Sequence, residues 1–67
     1  MKMKNTKRKM WRNAVGQYHR EDGPAIEYAD GTKEWWINGK QYSIEEYMEL
    51  ISEENRDKIL FNLDIYR

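Results

Sequence analysis

His19 is the only histidine of the 67-residue chain, and Arg20, Glu21 and Asp22 follow it directly. An imidazole beside two carboxylates is the composition of a general base or of part of a metal site. Zinc would normally ask for further histidine or cysteine ligands, and the chain has neither. The two serines, Ser43 and Ser52, each stand where a helix cap is expected. Catalysis and metal binding are therefore poorly served, no cofactor is implied, and a non-enzymatic protein is expected. For His19 and Arg20 two readings stand level. In one they form a turn network, with Arg20 paired to Asp22 or to a C-terminal acid. In the other Arg20 offers its planar fork to a phosphate.

Aromatic residues supply the second kind of chemistry. Trp11, Tyr18, Tyr28, Trp35, Trp36, Tyr42, Tyr47, Phe61 and Tyr66 make nine rings in 67 residues. Each ring can bury ~150–250 Å², so a few replace a larger aliphatic core, and for any single ring core packing is the first expectation. Trp35 and Trp36 are neighbours in a strand-like run, so they point to opposite faces. One enters the core, and the other meets solvent, a partner subunit or a ligand. A phosphorylated base requires a stacking face, a fork for phosphate and an amide for the base edge. Trp36, Arg20, His19 and Asn38, with Tyr18 and Trp11 close by, are the candidate ligand-binding residues. Trp35 is assigned to the core.

The elements that must position these groups are short. Residues 1–9 are basic and without period, and read as a tail. A strand is expected around Trp11 to Tyr18, weakened by Gly16. His19 to Pro24 is a turn by chemistry. Ala25 to Ala29 reads as a strand, Asp30-Gly31 as a hairpin turn, and Thr32 to Ile37 as the best strand of the chain. Asn38-Gly39 signals a type I′ turn into Lys40 to Tyr42, placing Trp35 opposite Tyr42 and Trp36 opposite Gln41. In the first hairpin a two-residue loop sets Ile26 opposite Trp35, and a three-residue loop with a bulge sets Glu27 opposite Lys33. The Ile26–Trp35 register is preferred, because a buried apolar pair outweighs cross-strand charge pairs of ~0.2–1 kcal/mol.

At Ser43 the period changes. Ser43-Ile44-Glu45-Glu46 fits a capping box, and Ile44, Tyr47, Met48 and Ile51 share a helical face. Ser52 to Asn55 is a second cap, which favours a helix over a strand for Asp57 to Tyr66. The expected fold is α+β, one domain over residues 1–67. A basic tail (1–9) leads into β-hairpins (10–42), which form a small antiparallel meander, and one or two C-terminal helices (43–67) follow.

Composition bounds the class. Charged residues are 36%, mean hydropathy is −1.14, and no cysteine is present. Disulfides and thiolate sites are excluded. No apolar run approaches the roughly 20 residues of a membrane span, and no h-region follows the basic start. A soluble cytoplasmic protein is expected. Residues 1–20 carry seven bases and no acid, whereas residues 44–67 carry seven acids and three bases. That polarity suits subunit attraction or an anion held at one end. Non-specific nucleic-acid binding ranks low, because net charge is zero and the acids are near.

The segments Tyr18-His19-Arg20-Glu21-Asp22-Gly23-Pro24-Ala25, Asp30-Gly31-Thr32 and Trp35-Trp36-Ile37-Asn38-Gly39-Lys40 resemble a repeat of small bacteriophage proteins. That repeat reads HREDGPA, then DG, then W-x-NG, and is loosely similar to MORN-type hairpins. The resemblance covers residues 18–42 and also the helical ending from Tyr42-Ser43. It implies a phage origin and a hairpin fold, and it implies no activity. Relatives often carry tandem copies, and this chain has one, which speaks against a solenoid-like extension. Two functions of different class are expected from the exposed rings and charged turn taken together with this resemblance. The first is an oligomeric sponge, dimer or tetramer, that buries a cyclic nucleotide or other phosphorylated immune signal between subunits. The alternative is a protein–protein inhibitor of a host defence or housekeeping enzyme.

Overall fold

The computed structural model describes residues 7–61 of the chain. Four strands, β1 (Arg8–Met10), β2 (Ile26–Tyr28), β3 (Lys33–Ile37) and β4 (Lys40–Tyr42), form one antiparallel sheet in chain order. Two helices follow, α1 (Ile44–Leu50) and α2 (Glu53–Phe61). The fold is α+β, a meander with a helical layer. Residues 1–6 of the expected tail, and Leu63, Ile65 and Tyr66 of the expected helical segment, lie outside the described residues.

The Asn38-Gly39 turn has the geometry its residues demand, with φ of 48° and 82°. Positive φ at both central positions is what type I′ requires. Trp35 consequently pairs with Tyr42 and Trp36 with Gln41. The capping box is also formed. Glu46 N donates to Ser43 Oγ at 3.2 Å, and Ser43 N to the Glu46 carboxylate at 3.3 Å. Ser52 Oγ caps α2 by accepting from Asn55 N at 3.1 Å.

Three expectations are corrected. First, Arg8 and Lys9 are not tail, because β1 pairs Arg8 with Tyr28, Lys9 with Glu27 and Met10 with Ile26. A three-residue strand of basic residues carries no periodic signal, and β2 defines it. Second, Trp11 to Tyr18 is not one strand. Asn13 N donates to Gln17 O, Gly16 N donates to Asn13 O, and Arg12 bridges Tyr18, so the chain reverses inside it. Gly16, at φ 89°, supplies the reversal. Third, the first hairpin pairs Ile26 with Glu34 and Glu27 with Lys33, not Ile26 with Trp35. Its loop has three residues, Ala29 to Gly31. Gly31 sits at φ 95°, and Asp30 Oδ1 accepts from Thr32 N at 2.9 Å. That local chemistry fixes the loop length and hence the register.

Register also assigns the two faces. Lys9, Glu27, Lys33, Trp35 and Tyr42 share one, and Arg8, Met10, Ile26, Tyr28, Glu34 and Trp36 share the other. α1 packs on β3 and β4. It covers the Trp35 face there with Tyr47 and Met48, and Ile51 at its C-cap and Ile59 of α2 complete the cluster. The Trp35 and Tyr47 rings lie 4.9 Å apart. Trp35 is thus a core residue, as its pairing required. Ile26 is buried as well, at 3% exposure, yet stands outside this cluster on the opposite face.

Candidate functional site

The turn His19 to Pro24 is an excursion from the middle of a strand. Trp11 O accepts from His19 N, and Trp11 N donates to Ala25 O. On the other side, Trp36 O accepts from Arg20 N, and Glu34 O from Ala25 N. Residues 17–20 and 24–28 therefore occupy one lane between β1 and β3, and residues 21–23 bulge out of it. The bulge is filled from α1. The Tyr47 hydroxyl, fully buried, accepts from Gly23 N at 3.3 Å. It lies within donating distance of Gly23 O, at 2.8 Å, and of Arg20 O. Burial pushes the Tyr47 phenol up to about 12.

Arg20 closes the excursion from above. Its Nε donates to Asp22 at 2.9 Å, and its Nη1 to Pro24 O at 3.1 Å and Glu27 at 3.4 Å. The guanidinium lies over the Trp11 ring, 3.9 Å from its centroid. A Cβ on Gly23 would stand 2.8 Å from Arg20 Cζ, so glycine leaves the space that the arginine crosses. His19 is occupied likewise. Its Nδ1 accepts from Asn38 N at 2.9 Å, and its Nε2 faces Glu21 at 3.1 Å. Asn13 Nδ2 joins the same corner, donating to Asn38 Oδ1 at 3.1 Å. Of the two level readings of His19 and Arg20, the turn network is the one these contacts form.

Tyr18 and Trp36 stand apart from that network, on the sheet face opposite the helices. Their rings meet edge to face at 5.2 Å. Glu34 holds two rings on this face at once. Its carboxylate accepts from Tyr28 Oη at 2.8 Å and from Trp36 Nε1 at 2.9 Å. That bond to Glu34 raises the Tyr28 phenol above its usual value. Arg12 lies over Tyr18 at 5.2 Å and Arg8 over Tyr28 at 5.8 Å. Arg12 also holds the Tyr18 phenol below its usual value. Met10 Sδ sits between the two arginines, accepting from Arg8 Nε and Arg12 Nη2.

The six residues expected to bind ligand thus divide. Tyr18 and Trp36 lie on the open face. His19 and Asn38 lock two turns together, and Arg20 and Trp11 form an internal stack. Sequence reasoning missed Arg8, Arg12 and Glu34 as members of the open face. A rise of period two from Arg8 through Met10 to Arg12 was the available signal. Among the described residues no group of three metal-ligating side chains occurs. No helix among them is long and apolar enough to cross a membrane. No family model, no curated protein and no solved structure matches this chain.

Proposed function

We infer that the chain is a non-catalytic binding protein that sequesters a phosphorylated nucleotide on the open face of its sheet. The observation that supports this is the placing of Tyr18, Trp36 and Arg12 together on the face that the helices leave uncovered. A ring for stacking and a guanidinium for phosphate are the two groups such a ligand needs. Arg12 takes the phosphate role first expected of Arg20, whose donors serve its own loop. The setting drawn from the resemblance is the cytoplasm of a phage-infected bacterium, where an oligomeric sponge of this kind would blunt a nucleotide immune signal. Calorimetry against cyclic and linear nucleotides tests it. Binding should weaken in Trp36→Ala by ~1–3 kcal/mol and in Arg12→Ala. Arg20→Ala should act mainly on stability. Absence of heat with every nucleotide would overturn the reading.

The protein–protein inhibitor keeps one observation in its favour. Leu50 of α1 and Phe61 of α2 are 55% and 92% exposed on the helical side. Exposed large apolar side chains of this kind mark contact surfaces. Capture of one host enzyme that Phe61→Ser abolishes, with no nucleotide binding, would establish that reading instead.

A further inference from the structure

Charge that is balanced along the sequence is separated in space. Residues 7–12 present Lys7, Arg8, Lys9 and Arg12 without an acid. The described helices present Glu45, Glu46, Glu49, Glu53, Glu54 and Asp57 against Arg56 and Lys58. α1 sits over β3 and β4 on the Trp35 face, so the sheet lies between most of these acids and the open face. A net charge of zero therefore hides a basic edge, and the composition argument against a polyanion does not hold for this face.

The basic edge is arranged as a row. Arg8, Met10 and Arg12 project to the same side along one extended segment. At about 3.3 Å per strand residue, the two arginines are rooted about 13 Å apart. Each guanidinium is held over a tyrosine ring, Arg8 on Tyr28 and Arg12 on Tyr18. Trp36 and Tyr28 are fixed beside them by the shared Glu34 carboxylate, whose oxygens face those donors. At the edge of the same strands an open groove of about 950 Å³ runs past Arg8, Lys9 and Tyr28, with Glu27 as its one acid among the described residues. Basic residues on an edge strand also discourage self-pairing. Edge protection alone does not require arginines to lie on rings of the sheet face, and there each guanidinium plane adds a flat surface on which a base can stack.

We propose that this face binds single-stranded nucleic acid, with Arg8 and Arg12 tracking successive stretches of the phosphate backbone and the Tyr18, Tyr28 and Trp36 rings contacting bases. The proposal uses the face assigned to the nucleotide and goes beyond it, because two arginines rooted about 13 Å apart fit a polymer better than one phosphate group. Affinity then depends on length and on salt, since each neutralised phosphate releases counterions.

The test is fluorescence anisotropy with a labelled ten-nucleotide deoxythymidine strand, thymidine monophosphate as competitor, and a salt series. The expected result is binding of the strand with a log–log salt slope of about −1.4, from about −0.7 for each of the two arginines. Arg8→Gln and Arg12→Gln should each make the slope about 0.7 shallower while keeping the folded circular dichroism spectrum. Trp36→Phe should retain more binding than Trp36→Leu. Loss of binding to the strand, an unchanged slope in both arginine variants, or stronger binding of an acidic glutamate peptide would each overturn the proposal. If the monophosphate binds as tightly as the strand, the nucleotide reading survives and this one fails. If the strand binds and no nucleotide does, the reverse holds.

Discussion

Tyr47 does more than its place on a helix face suggests. Its ring packs against Trp35, and its hydroxyl enters the backbone of the His19–Pro24 excursion. Tyr47→Phe keeps the ring and removes the hydroxyl. Gly23 N then loses its acceptor inside the fold, and an orphaned buried donor costs about 1–3 kcal/mol. The same residue sets an alkaline limit. Its native value of about 12 lies above the ordinary 10, so the folded state holds the phenol proton more tightly. The stability gained from this is full below pH 10 and is lost as pH rises from 10 through about 12. Two units correspond to at most about 2–3 kcal/mol. Urea denaturation should show wild type weakening steeply across that window. Tyr47→Phe should start lower at pH 8 and weaken less. Equal pH slopes for the two proteins would mean that the phenol titrates freely.

At the level of elements, local turn chemistry decided more than pairing energy. Asn38-Gly39, the Ser43 capping box and the Ser52 cap were legible because each is a short code satisfied within four residues. The first hairpin departs from the Ile26–Trp35 register because its three-residue loop, and not the apolar contact, sets the pairing. A slip of one residue moves Ile26 to the other face, where it is buried all the same. β1 was illegible because its three residues are exposed, and only β2 gives them a register. The site divided for a related reason. The HREDGPA run looked like a constellation facing outward, whereas its arginine, histidine and acids satisfy one another and the loop. The loop argument can be tested at Gly31. No atom lies within 4 Å of a Cβ built there, so Gly31→Ala pays only for φ of 95°. It should cost ~1–2 kcal/mol, and Gly31→Asn less, because asparagine visits the left-handed region more readily. If alanine and glycine were equal in denaturant midpoint, the three-residue loop would not be the one formed.

On the scale of the whole molecule the helical layer is small for the sheet it serves. The Cα radius of gyration is 12.5 Å, whereas a compact chain of the 55 residues 7–61 would measure about 10 Å, and one of 67 residues about 11 Å. The principal extents are 44 × 30 × 16 Å, a plate rather than a sphere. Such a shape buries little for its length, and chains near this size gain from self-association. Of the five exposed large apolar side chains among the described residues, Leu50, Leu60 and Phe61 lie on the helices, and Met10 and Val15 do not. A twofold contact through the helices would leave the open face of the sheet free for ligand. An ordinary dimer buries about 800 Å² per partner. The acids of α1 and α2 would then rim the contact, so association should strengthen as salt screens their repulsion. Light scattering at tens of micromolar protein should therefore give a multiple of 8.2 kDa, rising with salt. Phe61→Ser should return the protein to a monomer that keeps the wild-type circular dichroism spectrum. A monomer at every concentration and salt tested would show that the plate is stable alone. A dimer indifferent to Phe61→Ser but broken by Trp36→Ala would place the contact on the open face, where it would compete with ligand.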